Sequence, residues 1–138
     1  MNVDFLHSLV SSAIWRAERL DELGLEAACS AWKEVSRLEE ELARITPVNE
    51  AEGRIARRGA VRAALKAGNN VKAKELVELY TAERGAPKAL RLDFGKMLEA
   101  DEKGLSEQFP FAAKRYKPRD LQIFANQLHQ DGPFCLTA

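Results

Sequence analysis

Apolar residues recur along the chain at spacings of three and four, which is the pattern of amphipathic helices. The first run is Leu6, Val10, Ala13, Ala17 and Leu20. Such spacing places the residues on one stripe of a helix, so the pattern predicts a helix over about residues 3–23. Gly24 follows it, where a residue able to adopt positive φ closes a helix.

The same spacing resumes after Gly24 and stops at Thr46-Pro47. The second stripe consists of Leu25, Ala28, Trp32, Val35, Leu38, Leu42 and Ile45. Because the turn between the two runs is short, the pattern predicts an antiparallel helical hairpin over residues 1–46. An arm of about 20 residues per helix, extending past shorter helices, would expose its apolar seam unless a second chain covered it. This consideration predicts a homodimer.

Shorter helices are predicted over the rest of the chain. Asn49 and Glu52 have the spacing of a capping box, which predicts a third helix over about 50–67. Further helices are expected at about 70–84, after Pro87, after Pro110 and at about 118–130, with Gly104 among the residues that end them. The expected fold is therefore all-α: about seven helices in a single domain over 1–130, with the long N-terminal hairpin, a cluster of shorter helices over 49–130 and a tail over 131–138.

The net charge of zero conceals a strong polarisation along the chain. Residues 1–53 carry a net charge of −6 and residues 54–96 a net charge of +7. On the predicted third helix, four cations recur every four residues; we call them the basic stripe: Arg54, Arg58, Arg62 and Lys66. Polarisation of this kind bears on the choice of partner rather than on the fold.

The basic stripe has three interpretations. It could contact phosphates of nucleic acid, pair with glutamates of the acidic second helix, or form a solvated helix face. The sequence contains no base-reading motif and its isoelectric point is near 6.8, so the last two interpretations are favoured. Nucleic acid is kept as the alternative partner.

Ile14 and Trp15 lie off the apolar stripe of the first helix. If exposed, such a pair would be a good anchor for a protein interface, because buried aromatic residues dominate binding energy. The alternative is that later helices cover this second face. Both interpretations are open on sequence alone.

Nothing in the sequence indicates a reaction. It has two histidines, His7 and His129, and it lacks a glycine-rich phosphate loop, a Cys-x-x-Cys pair and a His-Glu-x-x-His motif. We therefore expect no enzymatic activity, no cofactor and no metal.

No apolar run approaches the roughly 20 residues that cross a bilayer, and no leader follows Met1, so a cytoplasmic location is expected. The expected function is a protein–protein interaction or adaptor module that self-associates.

Overall fold

The computed structural model describes residues 2–108. This part of the chain folds into five helices and contains no strand: α1 Val3–Glu22, α2 Ala27–Ile45, α3 Ala51–Lys66, α4 Asn70–Thr81 and α5 Lys88–Gln108. The predicted all-α class is confirmed. The helices predicted after Pro110 and at 118–130, and the tail at 131–138, lie outside the described residues.

Short-range signals fix most helix ends. The side chain of Asn2 accepts hydrogen bonds from the amides of Asp4 and Phe5 at the start of α1, and that of Asn69 accepts from Lys72 at the start of α4. Gly24 and Gly68 directly follow the last capping residues of α1 and α3, with φ of 65° and 75°. Because residues with a Cβ rarely adopt such angles, these two glycines end their helices where the sequence predicts. Gly85 also has a positive φ, but α4 already ends at Thr81, before the predicted end at about residue 84.

Two local predictions are wrong. Asn49 does not begin a capping box: α3 is preceded by Glu50, whose side chain makes no capping bond. The carbonyl of Pro47 accepts from the Glu50 amide at 3.1 Å instead, so a backbone turn leads into the helix. α5 is not short either, since its 21 residues continue through Gly104. One glycine costs a helix interior only about 1 kcal/mol, which the flanking helix-forming residues offset.

The hairpin of α1 and α2 is antiparallel, and its seam is covered within the chain. Leu6 and Val10 of α1 share one core cluster with Leu38 and Leu42 of α2. α2 packs extensively against α3 as well as α1. A second chain is therefore not needed to cover the hairpin seam, and any self-association needs another surface.

Helix α3 approaches α2 closely because its contacting side is made of small residues. Ala56, Ala60, Ala63 and Ala64 are at most 2% exposed. The hydroxyl of Ser36 on α2 donates to the Ala60 carbonyl at 2.9 Å. α4 and α5 complete the core on the other side of α3, where Tyr80 stacks on Phe94 with ring centroids 6.3 Å apart. α3 is thus the central helix, and α2, α4 and α5 all pack against it.

Candidate interaction surfaces

Trp15 is the most exposed aromatic side chain among the described residues. It is 69% exposed, whereas Ala17, two residues further along α1, is fully buried. Its neighbour Ile14 is partly buried and packs against both core clusters. The predicted pair is therefore split by the 100° turn between successive helical residues: Trp15 faces solvent, and Ile14 contributes to the fold.

Trp15 belongs to a second stripe on α1 that lies opposite the core. We call this stripe the outer α1 face: Asp4, Ser8, Ser11, Trp15 and Arg19, at spacings of four, three, four and four. All five residues are exposed. Phe5, 56% exposed, and Ser12 flank the stripe. Arg19 forms an ion pair with Glu22 at 3.3 Å, in which both side chains are well exposed. The outer α1 face thus combines one large aromatic, small hydroxyl residues and one charge of each sign.

The basic stripe is largely engaged by its own chain. Arg54 donates to the carbonyl of Val48 at 3.4 Å, and Arg58 pairs with Asp93 of α5 at 3.4 Å. Lys66 lies over the ring of Trp32 on α2, 4.7 Å from its centroid. Arg62 is exposed and acts electrostatically on Glu39 of α2. The four cations therefore line a ridge between α2 and α5. Their contacts lie within the chain, but only Arg62 acts on a glutamate of α2, and Arg58 pairs with α5 instead of the acidic second helix.

Arg57, next to the basic stripe, is only 5% exposed. Its Nε and Nη2 donate to the two carboxylate oxygens of Glu83 at 2.8 and 2.9 Å. Nη1 donates to the carbonyls of Thr46 and Gly53, and Nη2 to that of Ala43. These bonds use all five N–H donors of a guanidinium group. Arg57 therefore ties the end of α2 and the start of α3 to the segment that follows α4, and it has no donor left for a ligand.

A shallow cleft of about 350 Å³ opens beside Arg57. Its lining includes the turn between α2 and α3 together with Glu83 and Arg84. Because Arg57 and Glu83 form hydrogen bonds with each other, the cleft offers no buried polar group without a partner to a substrate.

The described residues also contain no group of three or more histidine, cysteine, aspartate or glutamate side chains that could hold a metal ion. Within the same residues, no helix is long and apolar enough to span a membrane.

Glu39 is a buried carboxylate in the interface of α2 and α3. It is 5% exposed, and its Oε1 lies 2.5 Å from the point where a Cβ on Gly59 would stand. A residue with a Cβ at position 59 would therefore require the Glu39 side chain to move. Burial raises the pKa of Glu39 to about 7, against the opposing effect of the Arg62 charge.

Stability is expected to fall as pH rises through the titration of Glu39. The folded pKa of about 7 exceeds the ordinary value of 4.5, so the folded chain binds more protons than the unfolded chain between these values. Above pH 7 the buried charge costs about 3 kcal/mol. Glu39→Gln should therefore raise the free energy of unfolding by about this amount at pH 8 and change it little near pH 4.5, as urea denaturation at the two pH values would show.

The matched control for this prediction is Ser36→Ala. Ser36 is buried in the same interface and carries no titratable group, so its replacement should cost about 1 kcal/mol at both pH values. A Glu39→Gln variant that is no more stable than the wild type at pH 8 would contradict the prediction.

The chain matches no protein-family model, no curated protein and no solved structure.

Proposed function

We propose that this chain is a non-enzymatic protein-interaction module that binds its partner through the outer α1 face. The observation that carries the proposal is the 69% exposure of Trp15. Trp is the residue type most enriched among interface hot spots, because its large surface gains much free energy when a partner removes it from water. A partner that covers Trp15 would gain this energy at one point of a helix whose opposite side is anchored in the core.

The surroundings of Trp15 suit an interface. Ser8 and Ser11 lie within two turns of it on the same face, and small residues allow a partner to approach the helix backbone. Asp4 and Arg19 lie toward the two ends and would favour partners with complementary charges. In this arrangement one central aromatic supplies affinity, and the charges near the ends supply orientation.

The basic stripe contributes less to partner binding than its sequence pattern predicts. A surface that recognises phosphates needs cations free to meet them, and Arg58 and Lys66 are already held by Asp93 and Trp32. These contacts favour a protein partner over nucleic acid. They also favour the outer α1 face over the ridge between α2 and α5 as the place of binding.

Trp15→Ala should abolish capture of the partner while leaving the fold intact. The matched control is Leu92→Ala, because Leu92 is 65% exposed on α5 and loses a large apolar side chain in the same way. Each replacement of an exposed residue should change the free energy of unfolding by less than about 0.5 kcal/mol. The test compares affinity capture from the native cell by the wild-type chain and both variants.

A partner retained by the wild type and Leu92→Ala should then be purified and its affinity measured by titration calorimetry. Loss of a central Trp contact should raise its Kd by about 30-fold or more, which corresponds to 2 kcal/mol or more. A partner bound equally by wild type and Trp15→Ala would place the interaction elsewhere and overturn the proposal.

A further inference from the structure

The outer α1 face is complementary to itself when two copies run antiparallel. In such a pair, residues equally far from the midpoint between Ser11 and Ser12 lie opposite each other. Trp15 then meets Ser8 of the second copy, and Arg19 meets Asp4. Because a twofold axis makes every contact occur twice, the pair contains two large-to-small contacts and two contacts between opposite charges.

We infer that the partner of the outer α1 face is a second copy of this chain, paired antiparallel about the point between Ser11 and Ser12. This inference rests on the proposed function, since it uses the same face and the same Trp15 anchor. It goes further by fixing the occupant, the direction of the helices and the register.

Sizes along the face support the antiparallel register. Ser11 and Ser12 lie at the twofold axis, where two helices approach most closely and where small side chains permit axis separations near 8 Å. Trp15, the largest side chain of the face, lies opposite Ser8, one of the smallest. Packing a large side chain into the space left by a small one gives the complementarity that specific interfaces show.

Charges favour the antiparallel pair over the parallel alternative. A parallel pair of α1 helices would place Asp4 beside Asp4 and Arg19 beside Arg19, so both ends would repel. The antiparallel pair replaces both repulsions with attractions. Arg19 already holds Glu22 of its own helix at 3.3 Å, and its guanidinium has enough N–H donors to bridge Glu22 and Asp4 of the second copy.

The expected dimer is weak. A pair of helices of 20 residues buries less than the roughly 1,200 Å² at the lower end of stable interfaces, so a Kd of about 10–100 µM is expected. Since the charges are exposed, raising the salt concentration from about 50 to 500 mM should weaken the dimer several-fold. Sedimentation velocity over about 1–300 µM protein, at low and at high salt, measures both the Kd and its salt dependence.

The register is tested by reversing one charge at a time. Asp4→Arg and Arg19→Asp should each dimerise more weakly, with a Kd raised about tenfold or more, because each homodimer then contains two repulsive contacts. An equimolar mixture of the two variants should form heterodimers about as tightly as the wild type dimerises, since both contacts become attractive again. Circular dichroism of each variant alone checks that the helices are retained.

The emission of Trp15 gives a second readout that does not depend on the charged variants. On dimerisation its exposed ring should enter a drier environment, so the emission maximum of the wild type should shift to shorter wavelength as concentration rises. The maximum of Trp15→Phe, which retains the buried Trp32, should not shift.

The possible failures are distinguishable. A wild-type chain that stays monomeric at 300 µM and low salt overturns the self-association, as does a dimer in which the mixed variants gain nothing over the separate ones. If such a chain still captures a partner in a manner sensitive to Trp15→Ala, the proposed function stands and only the identity of the partner changes.

Discussion

Replacing Arg57 with alanine is expected to lower the free energy of unfolding by about 3 to 5 kcal/mol. The substitution leaves the carboxylate of Glu83 without its bidentate partner, and it leaves the carbonyls of Ala43 and Thr46 without the donors that reach them. Each buried carbonyl that loses its donor costs about 1 to 3 kcal/mol, and the Glu83 carboxylate, which is 28% exposed, loses a charged partner while it keeps part of its contact with water. Arg57 also lies over the ring of Tyr80, 5.5 Å from its centroid, so packing is lost as well.

The neighbouring residue supplies the control. Arg58→Ala removes the same side chain from the next position of α3, but its pair with Asp93 is partly exposed and longer, at 3.4 Å. Pairs of that kind contribute about 0 to 1 kcal/mol. In chemical denaturation at neutral pH, the free energies of unfolding of the two variants should differ by at least 2 kcal/mol. Equal losses of stability would show that Arg57 does not connect α2 and α3 to the segment that follows α4 as described.

Gly53→Ala is expected to lower the free energy of unfolding by about 3 kcal/mol, almost as much as Arg57→Ala, although alanine is the better helix former. A Cβ at this position would lie 1.8 Å from the Pro47 oxygen and 2.6 Å from its carbonyl carbon. Both atoms belong to the backbone, so the turn between α2 and α3 has to move as a unit. That movement also disturbs the bond from Arg57 to Thr46, and overpacking of this kind outweighs the gain in helix propensity.

Gly95→Ala is the matched control, because the same methyl group is added to a helix. No atom lies within 4 Å of a Cβ at Gly95, and the residue is exposed on α5. Its replacement should stabilise the chain by about 0.5 to 1 kcal/mol. Thermal unfolding should therefore shift in opposite directions for the two variants, and a Gly53→Ala variant as stable as the wild type would refute the close approach of α3 to the turn.

Much of the secondary structure followed from local chemistry. The apolar stripe of α1 predicts the buried residues Leu6, Val10 and Ala17, and Gly24 and Gly68 mark the ends of α1 and α3. These features depend on interactions between residues at most four or five positions apart, which the sequence displays directly. The capping box at Asn49 is wrong because Glu50, one residue later, is the N-cap of α3, and the turn before it is closed by the bond from the Glu50 amide to the Pro47 carbonyl.

The candidate surfaces were only partly accessible to sequence reasoning. Periodicity does not distinguish Ile14 from Trp15 as an anchor, whereas the packing of α1 places Ile14 against the core and Trp15 in solvent. A local signal did exist for Arg57, since its spacing to Ala60 and Ala64 puts it on the small-residue side of α3. The sequence offered no sign that Glu83 would meet it there, because the two residues are brought together by the turn between α3 and α4.

The sequence by itself therefore determined an all-α chain, the positions of most helix ends and the existence of a cationic stripe on α3, since each depends on periodicity or on capping. Only the tertiary structure decided which charges pair. It placed Arg58 against α5, Arg57 against α4 and Glu39 against Gly59, because the small residues of α3 allow three helices to approach it closely. The same packing covered the seam of the hairpin and left the outer α1 face, with Trp15, exposed to solvent.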